Sequence, residues 1–237
     1  MQLFFHSEIR EGDREVVFSR DESRHIVKVL RKMEGDKLHL TNGKGWLFET
    51  EIIAADVNKC TARIIHAEKE PAPPYRVHLA VAPTKMNDRY EWFLEKATEI
   101  GIQEITPVIC DNSERKIVKI NRFERVIQSA LKQSLHTHFP ILNEPVALND
   151  FLKAEFEGQK FIAHCEEDQP RMLLSKSVHI NSDVTILIGP EGDFSPQEIK
   201  TALENGWKPV SLGNSRLRTE TAAIVACHTV ALINEEE

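Results

Sequence analysis

The stretch Leu187-Ile188-Gly189-Pro190-Glu191-Gly192-Asp193-Phe194-Ser195-Pro196-Gln197-Glu198 joins an apolar run to a helix start, and its reading decides the fold. Val184 to Ile188 is short and apolar enough to be a strand buried on both faces of a sheet. Ser195 reads as the N-cap of the helix that follows, with Pro196 in its first turn and Glu198 placed to complete a capping box. Between the two, Gly189 and Gly192 carry no side chains, which leaves the backbone open to close approach by a ligand. The loop lacks the Lys-Ser/Thr pair of a P-loop and the spacing of a dinucleotide fingerprint, and Glu191 and Asp193 would repel phosphate. Uncharged adenine and ribose, or a cationic sulfonium, tolerate those carboxylates better. Taken alone, the pattern is equally a tight turn without function.

Working outward, a second loop has the same build. Val210-Ser211-Leu212-Gly213 ends a strand, Asn214 to Arg218 is a polar, basic connection, and Thr219 is placed to cap a helix carrying Ala222, Ile224, Val225 and Val230. Two glycine-bearing loops at strand ends face one crevice, where open α/β sheets bind small ligands. Upstream, Val77, Leu79 and Val81 alternate along a strand, and Tyr90, Phe93, Leu94, Ala97 and Ile100 share a helical face closed by Gly101. Glu104 to Ile109 and Phe161 to Cys165 are further strands. Between these, Asn121 and Glu124 form a candidate capping box over a helix burying Phe123, Val126, Ile127, Ala130 and Leu131. Alternating strands and helices predict an α/β domain with a largely parallel sheet.

Glu70-Pro71-Ala72-Pro73-Pro74 interrupts the chain with three prolines in four residues, an extended linker that no helix or central strand tolerates. The boundary falls there: one domain over 1–70, a linker at 71–74 and a second domain over 75–237. In the first, Val16 to Phe18, Lys37 to Leu40, Trp46 to Ile53 and Thr61 to Ile65 read as short strands, with Asn42-Gly43 as a turn and one helix over Glu22 to Lys32. A small β-barrel-like module is the expectation.

Glu8, Arg10 and Glu11 break the apolar start before a signal core forms, and no run approaches the roughly 18 apolar residues of a membrane span, so a soluble cytoplasmic protein is expected. Cys60, Cys110, Cys165 and Cys227 have no metal-site or disulfide spacing and read as buried thiols, with no metal expected. The net charge of −7 excludes a crude nucleic-acid binder, but the charges are segregated. Arg115, Lys116, Lys119, Arg122, Arg125 and Lys132 face one acid, Glu124, whereas twelve carboxylates meet five basic residues between Glu144 and Glu204. Arg24, Lys28, Arg31 and Lys32 form a smaller basic run. These patches are compatible with RNA.

At the two loops, Leu-Ile-Gly-Pro-Glu-Gly-Asp-Phe followed by Ser-Leu-Gly-Asn-Ser-Arg-Leu-Arg-Thr-Glu-Thr-Ala-Ala resembles the signature of the ribosomal RNA uridine N3-methyltransferase family. Lys85, Arg89, Glu95, Lys96, Glu99 and Gly101 resemble its Lys-x-x-x-Arg and Glu-Lys-x-x-Glu-x-Gly pattern, and Gln133-Ser134 its Gln-Ser. His25, Val29, Leu30, Arg31, Gly35 and Asp36 resemble its amino-terminal domain. Gln2-Leu3-Phe4 stands where that family has Arg-Arg-Phe, and Leu135-His136 where it has Gly-Arg. The resemblance implies a C-terminal trefoil-knotted SPOUT methyltransferase domain behind an N-terminal PUA-like β-barrel domain, usually as a homodimer. It also implies S-adenosylmethionine as cofactor and N3 of a uridine in 16S RNA of the small ribosomal subunit as methyl acceptor.

By the same resemblance, the cofactor is held by Leu187, Ile188, Gly189, Pro190, Gly192, Ser211, Leu212, Gly213, Leu217, Arg218 and Thr219, largely through backbone groups, although the leucines equally suit a core. His164, ahead of Glu166, Glu167 and Asp168, either borders that pocket or is a satisfied structural histidine. Arg218 is the candidate for stabilising charge on the uracil. Glu220 is a base, an orienting partner for that arginine, or a helix-start carboxylate facing the dipole. For RNA, Arg122, Arg125 and Lys132 fall near one helical face, joined by Arg115 and Lys116, by Lys85 and Arg89, and by Arg24, Lys28 and Arg31 in the small domain. A solvated charged face is the alternative, and Phe4, Phe5 and Trp46 read as core. Two rival functions remain: an RNA-binding assembly factor needs the patches without the pocket, and a methyltransferase for another substrate needs the pocket without the patches.

Overall fold

The structure, a computed structural model, describes residues 2–166 and 170–235, so Glu167 and Asp168 lie outside the described residues. It divides into two units, Met1–Ala72 with Leu131–Phe139, and Pro73–Ala130 with Pro140–Glu237.

The first unit contains β1 (Leu3–Phe5), β2 (Glu15–Val17), α1 (Arg20–Arg24), β3 (Lys37–Thr41), β4 (Trp46–Ala54) and β5 (Thr61–Lys69). Its sheet runs β1-β3-β4-β5-β2, with β1 parallel to β3 and the other pairs antiparallel. Alternation along β4 buries Phe48, Thr50 and Ile52 on one face, against Phe4, Phe18, Ile26 and Leu40. The predicted helix over 22–32 is replaced by two pieces. Ser19 Oγ caps α1 by accepting the Glu22 N–H at 3.3 Å, and a wider turn over His25–Val29 closes with Leu30 N–H on His25 O at 2.9 Å. Ile26, Val27 and Val29 are β-branched and crowd a regular helix. The Asn42-Gly43 turn also serves the segment 131–139, which a single boundary at 71–74 leaves with the second domain. Phe139 N–H donates to Gly43 O at 2.8 Å and Gly45 N–H to Thr137 O at 3.0 Å. A Cβ on Gly43 would lie 2.8 Å from that of Phe139, and one on Gly45 2.6 Å from the His138 ring.

The second unit contains β6 (Val77–Val81), α2 (Asn87–Ile100), β7 (Glu104–Ile109), α3 (Ile120–Ser134, whose last turn groups with the first unit), β8 (Ile141–Leu142), β9 (Val146–Ala147), α4 (Leu148–Phe151), β10 (Gln159–Ala163), β11 (Met172–Leu173), β12 (Val184–Ile188), α5 (Pro196–Glu204), β13 (Lys208–Ser211) and α6 (Thr219–Glu235). Its sheet is parallel throughout, in the order β11-β13-β10-β12-β6-β7-β8, with β9 on β7. Every residue of β6 and β12 is buried, as strands covered by helices on both faces must be. Ile188 lies opposite both Val81 and Ala163, and Ala163 opposite Val210, so the C-terminal ends of β10, β12 and β13 finish level.

Some helix ends follow local chemistry and others do not. Ser195 and Glu198 form the full capping box of α5, and Gly101 ends α2 in the left-handed region at φ 95°. The box expected of Asn121 and Glu124 is not made. The N–H groups of Arg122 and Phe123 both reach Lys119 O, so the helix has already begun when Asn121 is reached. The strand expected over 161–165 stops at Ala163, which leaves Cys165 exposed in a loop, while Cys60, Cys110 and Cys227 are buried. No helix among the described residues is long and apolar enough to cross a membrane.

At the opposite end of the sheet, His78 is 6% exposed. Its Nε2 shares a hydrogen bond with Thr106 Oγ1 at 2.8 Å, and its Nδ1 lies 3.4 Å from Glu104, which Arg76 also pairs. Burial lowers its pKa from 6.5 to about 4 against the attraction of Glu104. Below pH 6.5 the unfolded chain takes up a proton that the folded one refuses, so stability is full above that pH and falls as the pH drops toward 4, by roughly 3 kcal/mol in all. Melting temperatures across that window should fall for the wild type and fall less steeply for His78→Asn; equal slopes would show that another group governs the acid limb.

Candidate functional site

Three loops leave the level ends of β10, β12 and β13 and enclose two adjoining clefts. One, of about 380 Å³, is lined by His164, Arg171, Ser211, Leu212, Gly213 and Asn214 among others. Its neighbour, of about 290 Å³, is lined by Ile188, Gly189, Pro190, Glu191, Asp193, Arg218 and Thr219. Ala163, Cys165, Arg216, Leu217 and Ala222 border both. Among the described residues the first cleft is lined by Arg171, Arg216 and His164 and by no carboxylate, and the second by Glu191 and Asp193 together with Arg216 and Arg218.

Hydrogen bonds fix the loops to one another. Asp193, held at φ 62°, accepts the Cys165 N–H at 2.7 Å on one oxygen and the Phe194 N–H at 2.8 Å on the other. Thr219 does not cap α6 as expected. Its hydroxyl donates to Gly189 O at 3.0 Å, and the carbonyl of Arg218 receives the Ala222 N–H at 2.7 Å instead. The glycines have different reasons. A Cβ on Gly189 would come 3.1 Å from the Phe194 ring, whereas one on Gly213, at φ 134°, would meet nothing within 4 Å. Gly192 is small for Asn112, whose Cβ would be 3.3 Å away and whose Nδ2 donates to the carbonyls of Gly192 and Asp193.

The clefts therefore gather His164, Ile188, Gly189, Pro190, Ser211, Leu212, Gly213, Leu217, Arg218 and Thr219, but not Leu187 or Gly192. Leu187 is wholly buried and packs in the core with Trp207, Ile162 and Ile199. Its truncation would act on stability, at about 2–5 kcal/mol. His164 is 4% exposed and neither ring nitrogen finds a partner among the described residues; burial pushes its pKa down, which favours the neutral ring beside the first cleft. Arg218 is exposed and makes no ion pair among the described residues. Glu220, 5% exposed, pairs with Arg89 at 3.9 Å rather than with Arg218; its second oxygen is buried without a partner among the described residues, and it lines neither cleft. Arg171 and Asn112 carried no sequence signal, because their roles depend on contacts between loops, and Ala222 was legible as part of the last helix and its motif but not as a wall of the clefts.

The basic residues separate into two sets. Arg115 donates to the carbonyls of Thr84 and Lys85, Lys85 pairs with Glu114, Arg122 with Glu91 and Lys132 with Glu22. Arg24, Lys28, Arg31, Lys116 and Arg125 are exposed and make no ion pair among the described residues.

Comparison with known proteins places this geometry. The RNA methyltransferase domain family matches residues 71–231, and the RNA methyltransferase PUA domain matches residues 18–65. The chain is 31% identical over 234 residues, 98% of its length and 95% of the relative's, to the ribosomal RNA small subunit methyltransferase E of Rickettsia conorii. The crystal structure of a probable rRNA-methyltransferase from Porphyromonas gingivalis superposes with a TM-score of 0.90 at 41% identity, covering 98% of this chain and 99% of that one. The ribosomal RNA small subunit methyltransferase E of Neisseria gonorrhoeae bound to S-adenosyl methionine gives 0.85 at 26% identity, over 99% and 98% of the two chains. With a family match over most of its length and full-length relatives on both counts, this chain belongs to the ribosomal RNA small subunit methyltransferase E family.

Proposed function

We propose that the chain is an S-adenosylmethionine-dependent methyltransferase that modifies N3 of a uridine in 16S RNA of the small ribosomal subunit, in the cytoplasm and as a homodimer. The observation that carries this reading is the pair of adjoining clefts at the level ends of three parallel strands, one charged only by arginines and the other lined by carboxylates and arginines together. The residues present fit the cofactor. His164 offers unpartnered ring nitrogens inside the first cleft, Gly213 leaves its surroundings open, and Leu212 and Leu217 supply apolar surface for a heteroaromatic ring. In the second cleft Glu191 and Asp193 offset the charge of Arg216 and Arg218, which leaves a sulfonium unopposed by any net positive sign.

When bound, S-adenosylmethionine supplies an electrophilic methyl group on a sulfonium. Arg218, exposed at the lip of the second cleft, stabilises the negative charge that spreads over the uracil as its N3 proton leaves. Glu220 acts through Arg89, fixing the start of α6 against α2, and is a positioning residue. Arg24, Lys28, Arg31, Lys116 and Arg125 bind RNA phosphates, and the cations already engaged within the chain hold loops in place. Two features of the resemblance belong to the same proposal. A trefoil knot suits a chain that returns from β13 past β10 and β12 to lay α6 on β6. A homodimer suits α6, which keeps Ile224, Val225, Leu232 and Ile233 at least partly exposed and is apolar around most of its circumference.

Calorimetry with S-adenosylmethionine, followed by mass spectrometric mapping of 16S RNA from a deletion strain, tests the reading; absence of heat, or an unchanged modification map, would overturn it. Ala222→Leu keeps helix propensity but fills the wall common to both clefts, so cofactor affinity should drop at least roughly tenfold with the melting temperature kept. Arg218→Ala should lower single-turnover methyl transfer by at least roughly a hundredfold while cofactor affinity changes far less. A parallel decline of the two quantities would make Arg218 a cofactor ligand instead.

A further inference from the structure

Ile117 is 81% exposed, the highest value for a large apolar side chain among the described residues. Single exposed apolar residues are ordinary; the place of this one is not. It stands in Arg115-Lys116-Ile117-Val118-Lys119, where Lys116 and Lys119 are exposed and make no ion pair among the described residues. The root of the loop is bolted to the glycine loop of the second cleft. Asp111 N–H donates to Glu198 Oε1 at 2.8 Å, Asp111 accepts the Ser195 hydroxyl at 2.7 Å, and Asn112 donates to the carbonyls of Gly192 and Asp193 at 3.2 and 3.1 Å. Arg115 is tied to Lys85 O at 2.7 Å, and the Lys85 N–H donates to Glu191, a wall of that cleft, at 2.9 Å. Ile117 follows Arg115 by two residues, a span of at most about 7 Å.

We propose that Ile117 is an RNA-inserting positioning residue. It enters the base stack beside the target uridine and holds that base out toward the second cleft, while Lys116 and Lys119 grip the flanking phosphates. The inference rests on the proposed uridine methylation. N3 lies on the pairing edge of the base, so it reaches a methyl donor only when the nucleotide leaves its pair and stack. Proteins that open a stack use apolar wedges, isoleucine among them, and a wedge works only from a rigid base. The hydrogen-bonded root supplies that base, and the lysines supply the charge that selects RNA.

The test uses the full chain, small ribosomal subunits and an RNA fragment with 2-aminopurine next to the mapped uridine. Ile117→Ala should slow single-turnover methyl transfer roughly tenfold to a hundredfold, in line with the cost of unstacking one step, at unchanged S-adenosylmethionine affinity and melting temperature. The 2-aminopurine should brighten on binding wild type, stay dim with Ile117→Ala, and brighten again with Ile117→Leu. Methylation and brightening by Ile117→Ala at the wild-type level would overturn the wedge while leaving the proposed function intact. A changed sedimentation coefficient of Ile117→Ala without RNA would also overturn it, by placing Ile117 between copies of the protein. Wild type that binds cofactor but leaves 16S RNA unmodified would overturn both, and it would do so before any substitution is made.

Discussion

The edge of the sheet where the clefts lie depends on one buried carboxylate. Glu198 is 2% exposed, and its two oxygens accept the N–H groups of Asp111 and Ser195, each at 2.8 Å. Burying such a charge costs several kcal/mol unless it is fully engaged. Two donors and the positive end of α5 provide that engagement. Removing the carboxylate would leave both donors short of a partner, at about 1–3 kcal/mol each. The consequence is geometric as well as energetic. Ser195 also bonds Asp111, and Asn112 holds Gly192 and Asp193, so the loop after β7 and the loop after β12 move as one body. Asp193 then carries the constraint to Cys165, and hence to the loop after β10.

Much of this edge was legible because the chemistry is local. Val77 to Val81, Glu104 to Ile109 and Val184 to Ile188 form strands at the bounds their alternation or apolar runs imply. Ser195 and Glu198 sit three residues apart on one turn, and a capping box needs nothing else. The resemblance, in contrast, implies that Leu187 and Gly192 sit at the cofactor, since both belong to its motif. Their actual neighbours, Trp207 and Asn112, come from distant parts of the chain. Periodicity says that a residue faces inward, not what it meets there. Asn121 illustrates a different limit: its side chain suits a cap, but the helix takes Lys119 O as its first acceptor.

The turn at Asn42-Gly43 shows how a correct local reading can still be incomplete. Asn and Gly suffice to predict a reversal between strands. The structure adds that Gly43 and Gly45 are also small because Phe139 and His138 lie against them. A linker composition at 71–74 cannot reveal that residues 131–139 return to the first unit. A break in the chain at that linker would therefore separate the segment from the turn at 43–45 that it bonds to, so the second unit is not one continuous stretch of the sequence.

Charge sets the remaining constraint. A protein with a net charge of −7 gains no long-range attraction for a polyanion, and beyond the roughly 8–10 Å Debye length even its repulsion is largely screened, so binding rests on charges that come close. Several of its basic side chains are already committed: Arg115 to carbonyls, and Arg122, Lys85 and Lys132 to carboxylates. Each cation so engaged is one fewer to release counterions from RNA, which makes sequence-independent binding weak and only modestly dependent on salt. Attraction is left to the short-range cations of the exposed set. On the proposed function, binding then depends on those cations meeting phosphates rather than on a general attraction to RNA. That dependence follows from how the arginines and lysines are used inside the fold rather than from how many the sequence contains.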